Sequence, residues 1–135
     1  MKKLLAVLLV VAGFALAQEA KVPKFSIGLD MPVFSWVSAN DDGAVTSLFG
    51  FNFALGVSYR SYFSPLEIEK GSGYWEAGTV VLIDPYVGAG YDYRISEQLY
   101  AGAGLDVFPL HPLLYGGYGL FLTFVPNLHI GMYLF

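Results

Sequence analysis

The chain alternates. From residue 49 to residue 60, Phe49, Phe51, Phe53, Leu55, Val57 and Tyr59 hold every second position, with Gly50, Asn52, Ala54, Gly56, Ser58 and Arg60 between them. Successive side chains of a strand point to opposite faces, so this period of two puts large apolar groups on one side and small or polar ones on the other. Similar runs recur along most of the chain beyond residue 17, where Gly, Pro, Asp or Arg breaks every apolar stretch. None approaches the roughly 18 apolar residues that a membrane-crossing helix needs. Yet the mean hydropathy is +0.55, high for a soluble domain. Only helices and closed barrels satisfy all their backbone hydrogen bonds in lipid. With helices excluded, the pattern predicts an all-β fold: an antiparallel up-and-down transmembrane β-barrel with its apolar face outward.

The first 17 residues stand apart from this pattern. Lys2 and Lys3 precede an unbroken apolar run at 4–12, and Ala15-Leu16-Ala17 offers a small-x-small cleavage site before Gln18. That is the layout of a secretory signal, cut after Ala17. It leaves one domain, the barrel, over 18–135. The chain has no Cys, which closes both lipidation through Cys and disulfides. Without Lys2 and Lys3 the 7 basic residues fall to 5 against 11 acidic, a net charge near −6. Nucleic acid, which calls for a basic stripe, is not an expected partner.

Strands are expected over 24–36, with Pro32 at a bulge; over 45–64, as one long strand or as two with a turn at 52–56; and over 74–83, 86–95, 99–107, 113–124 and 128–135. Loops are expected at 38–44 and 65–73, and tight turns at 96–98 and 125–127. Splitting 45–64 makes eight strands, and single-chain bacterial barrels have even numbers.

Two stretches, 85–91 (PYVGAGY) and 93–105 (YRISEQLYAGAGL), resemble the small outer-membrane barrels of the opacity-protein-like group. The ending His129-Ile-Gly-Met-Tyr-Leu-Phe135 is similar to the C-terminal signature of such barrels, a last Phe with Tyr two residues before it. The resemblance implies that Tyr133 and Phe135 form the signal read by the barrel assembly machinery, and that outer-membrane lipid surrounds the protein. It also implies lipid-facing positions for Phe135, Tyr133, Gly131 and His129, whereas hydrophobicity favours Leu128, Ile130, Met132 and Leu134. A similar tension surrounds 96–98. The resemblance makes it a turn on the side of the C terminus, while counting back through the expected strands puts it on the opposite side.

On the alternating register, Asp30, Arg60, Glu76, Asp92, Arg94 and Asp106 share the inner face. They read as an ion-pair and hydrogen-bond network, because an eight-stranded barrel is just wide enough for its own side chains. The rival reading is a narrow channel or a binder of small hydrophobic molecules lined by these residues. A third is a membrane lipid hydrolase, with His129 drawn to Ser58 or Ser61 and Glu76. A fourth is a soluble lipocalin-like barrel, which would need a polar outer face. His111 and His129 are too isolated to suggest a metal site, and no cofactor is expected. The glycines at 88, 90, 102, 104, 116, 117 and 119 lack the Lys-Ser/Thr ending of a phosphate loop, and fit the inner face of a tightly curved barrel. Trp36, Tyr59, Tyr62, Phe63, Tyr74, Trp75, Tyr93, Tyr100, Tyr133 and Phe135 lie near expected strand ends, where interfacial aromatic girdles sit. The chain is thus expected to be a monomeric outer-membrane barrel without catalytic chemistry, with a structural or surface-interaction role.

Overall fold

The computed structural model describes residues 22–29, 32–116 and 123–135. They form eight strands: β1 (Phe25–Gly28), β2 (Phe34–Ala39), β3 (Val45–Phe51), β4 (Val57–Leu66), β5 (Gly71–Val80), β6 (Asp84–Arg94), β7 (Leu99–Val107) and β8 (Phe124–Leu134). One short helix, α1 (His111–Tyr115), lies between β7 and β8. Each strand pairs antiparallel with the next, and β8 pairs with β1, closing an up-and-down barrel. β4 to β8 have 9 to 11 residues. Strands of that length, tilted as in a barrel, stand roughly 25 Å tall, the height of a lipid-facing band.

The route to eight strands differs from the expected one in two places. The segment 24–36 is two strands, β1 and β2, and Gly28 N–H donates to Val33 O at 2.7 Å between them. Pro32 lies between the two strands, because a residue with no N–H cannot continue a ladder. The expected strand over 113–124 is absent from its described part, where α1 stands instead; 117–122 lie outside the described residues. The expected turn at 125–127 is part of β8, with Pro126 opposite Leu105. β1 pairs with β8 only at 131–134, so among the described residues no strand pairs with the other flank of β8 beside Pro126, where a proline is tolerated. The run 45–64 is indeed two strands, turned at 52–56. Asn52 makes that turn, its Oδ1 accepting from the N–H groups of Ala54 and Gly56 at 3.1 and 2.9 Å. The loop expected at 65–73 shrinks to 67–70.

This topology puts both chain ends, and the turns at 40–44, 67–70 and 95–98, at one end of the barrel, here called the terminal end. The turns at 52–56 and 81–83, α1 and the point where β1 passes to β2 make the distal end. The turn at 96–98 therefore lies beside the C terminus, and the count that put it opposite is corrected: six strands precede it where five were expected, and among the described residues β7 and β8 follow it.

The barrel is inverted relative to a soluble protein. Every outward-facing strand side chain among the described residues is uncharged, and large apolar groups such as Trp36, Phe49, Trp75, Val87, Leu105 and Leu128 stand exposed. The core is the lumen, holding Leu48, Tyr62, Tyr74, Tyr100 and Tyr133. These tyrosines, expected near the girdle, are buried instead, whereas Trp36, Tyr59, Phe63, Trp75 and Tyr93 do face outward. Inner-face glycines make room for the large rings: a Cβ on Gly90 or on Gly104 would lie 2.4 Å from the Tyr74 hydroxyl, and one on Gly131 would lie 2.4 Å from Tyr100. Large lumen side chains thus sit over neighbours that have none. β8 presents Leu128 and Ile130 outward and buries His129, Gly131 and Tyr133. Hydrophobicity decided that strand's orientation.

Candidate functional site

Six of the charged residues among those described are buried: Arg60, Glu76, Asp84, Asp92, Arg94 and Asp106. Alternation on β4 to β7 turns each of them inward. Three meet at the middle of the barrel. Arg60 donates from Nε to Glu76 Oε2 at 2.6 Å and from Nη1 to Asp92 Oδ2 at 3.1 Å. Its guanidinium lies 4.0 Å from the centroid of the Tyr74 ring. Tyr86 donates to Glu76 Oε1 at 2.6 Å, and Tyr62 donates to Asp92 Oδ2 at 2.5 Å. Both carboxylates thus have each oxygen engaged, which buried charge requires.

His129 closes the ring of contacts. Its Nε2 is 2.6 Å from Asp92 Oδ1 and 3.0 Å from Arg60 Nη1. Asn127 Nδ2 donates to Asp106 Oδ2 at 2.7 Å, which turns Asn127 Oδ1 toward His129 Nδ1 at 3.2 Å. Arg60 stands on β4 and His129 on β8, four strands apart in a ring of eight. Side chains from diametrically opposed walls therefore touch. The barrel is filled across its whole width at this level.

Arg94 and Asp84 flank this centre. Among the described residues Arg94 has no carboxylate as a hydrogen-bond acceptor. It donates instead to the carbonyls of Gly43 at 2.7 Å, Leu66 at 3.4 Å and Glu97 at 2.8 Å, tying together the connections of the terminal end. Open clefts of about 210 and 430 Å³ border it, and Asp41, Asp42, Glu67 and Glu97 stand at their rims. Toward the distal end, His111 Nε2 sits 2.7 Å from Asp84 Oδ2, and the His111 ring stacks on Phe108 with centroids 4.6 Å apart.

Of the residues expected to line the lumen, Arg60, Glu76 and Asp92 are in direct contact, Asp106 joins through Asn127 and His129, and Arg94 forms a separate staple. Asp30 lies outside the described residues. Tyr133 is buried in the lumen and Phe135 packs against its core, so neither belongs to the outer apolar row of β8. The triad considered for hydrolysis is not assembled. Ser58 Oγ pairs with the Tyr86 hydroxyl at 2.6 Å, and Ser61 lies on the outward face of β4. Among the described residues no group of three or more His, Cys, Asp or Glu is arranged to hold a metal ion. Sequence reasoning missed Tyr62, Tyr86 and Asn127 as members of the network and gave His129 another role. Their signal was present: each shares the inward parity of a charged residue on its own or a neighbouring strand. No protein-family model, no curated protein and no solved structure matches this chain.

Proposed function

We propose that the protein is a small outer-membrane β-barrel with a structural role in the envelope and no catalytic chemistry. The observation that carries this reading is the inverted distribution of charge. The strand residues that face outward include no charge, while Arg60, Glu76, Asp84, Asp92, Arg94 and Asp106 are all buried inside. In water this arrangement is costly. In lipid it is what a barrel requires, because a charge on the lipid face near midplane costs roughly 2–4 kcal/mol for Arg or Lys. The filled lumen supports a plug in preference to a channel, since Arg60 and His129 meet across the full width. The polar terminal end, with its acidic rims, is the surface available for contact with other envelope components.

Fractionation followed by gel mobility tests the reading. A band in the outer-membrane fraction that changes mobility on boiling, with no conductance steps in planar bilayers, is the expected result. A soluble periplasmic product of single mobility overturns it, and discrete conductance steps replace the plug with a channel.

A further inference from the structure

Both ends of a membrane-spanning barrel ordinarily meet water, and their turns are polar. Here only one does. Every exposed charged residue among those described (Lys24, Asp41, Asp42, Glu67, Glu69, Lys70 and Glu97) belongs to the terminal end. The distal end instead exposes Phe53, Leu55, Val81, Leu82, Ile83 and Leu113, with Leu55 and Leu113 at 80% and 81%.

The backbone shows that these apolar tips are not incidental. Four non-glycine residues among those described adopt positive φ, and three of them are Leu55, Val81 and Leu82, with φ of 54°, 52° and 62°. The left-handed conformation is ordinarily given to Gly, Asn or Asp, and it is least suited to a β-branched residue. At the terminal end the positive-φ residues are Gly43 at φ 77° and Glu69 at φ 57°, neither of them apolar and bulky. At the distal end, local turn preference has been overridden in favour of aliphatic bulk. The apolar tips also continue the apolar wall without a polar break: Phe49, Phe51 and Phe53 run off the end of β3 into the 52–56 turn, and Ile83 leads into Val87 of β6. Asp84, the described acidic group nearest these tips, is sealed and paired with His111.

We infer that the described distal tips, the turns at 52–56 and 81–83 together with α1, are immersed in membrane hydrocarbon. The inference rests on the membrane reading above and goes beyond it: the wall and the distal turns form one continuous lipid-covered surface.

The absence of native Cys makes the test direct. Single Cys residues are introduced at Leu55, Leu82 and Leu113 for the distal end, at Leu128 for the wall, and at Asp41 and Glu97 for the terminal end. Each is labelled with an environment-sensitive fluorophore while unfolded, then folded into phosphatidylcholine vesicles with or without brominated acyl chains, with iodide present on both sides. A variant lacking the heat-sensitive gel mobility is replaced by its neighbour Val81 or Leu114. The expected result is severalfold quenching of the distal and Leu128 probes by brominated chains and almost none by iodide, with the reverse at Asp41 and Glu97. Iodide quenching at the distal sites while Leu128 stays lipid-quenched overturns the inference and leaves the membrane reading intact. Distal probes shielded from both quenchers also overturn it, and show a protein cover such as a second copy. Iodide quenching at Leu128 itself overturns the membrane reading.

Discussion

Arg60 shows how much one buried side chain controls in this molecule. It faces two carboxylates, a tyrosine ring and a histidine, with its side chain only 2% exposed. Removing one partner of a buried ion pair leaves the other charge unsolvated and typically costs about 3–5 kcal/mol. Arg60→Met is therefore expected to lower the urea midpoint of the detergent-folded protein by a corresponding amount. Arg60→Met combined with Glu76→Gln and Asp92→Asn should recover part of the loss, because the uncompensated charges are gone. If the single and triple variants unfold alike, the loss lies in packing and not in charge. Gly50 is the steric counterpart: a Cβ there would lie 1.8 Å from the backbone oxygen of Phe34, so Ala has no room without separating β2 from β3.

Among the elements, the β5–β6 turn carries the clearest conflict between local preference and setting. Val81 and Leu82 both have positive φ, and Ile83 N–H donates to Val80 O at 3.2 Å. Left-handed backbone costs about 1–2 kcal/mol per residue with a Cβ, and Asn-Gly is the pair best suited to two successive positive φ values. Replacing Val81 with Asn and Leu82 with Gly is expected to raise the urea midpoint in detergent micelles, where the tip gains little from being apolar. Folding into lipid vesicles should not improve in parallel, and should slow or stay incomplete if the tip belongs in hydrocarbon. Equal gains in micelles and in vesicles would show that apolarity at this turn has no bearing on the membrane.

For the whole molecule, the decisive property is the inverted distribution of polarity, and the wall is where it is tested. Leu128 is 85% exposed in the middle of β8. Arg at a lipid-facing position near midplane costs roughly 2–4 kcal/mol, and close to nothing on a surface in water. Leu128→Arg is accordingly expected to weaken folding into vesicles by that amount, measured by denaturant titration. An unchanged stability would mean that this part of the wall lies in water.

How far each scale was legible beforehand follows from what sets it. Alternation alone identified the strand faces, because a period of two is a local property of extended backbone. It put Asp92 and Arg94 inward and Val87 outward, as they lie, but left open which face of the last strand turns out. The same rule misled for 24–36 and 113–124, where parity continues through a turn or a helix without signalling either. Composition along the chain therefore determined a β-barrel with apolar residues outside and charges inside. Only the tertiary structure decided which strands exist, and hence that 96–98 lies beside the termini and that the polar turns gather at one end. It alone brought Arg60 on β4 against His129 on β8, and Arg94 onto the carbonyls of Gly43, Leu66 and Glu97. The physical reason is closure. A strand's faces depend on its neighbours in sequence, but what lies across the lumen depends on the number and register of every strand in the ring.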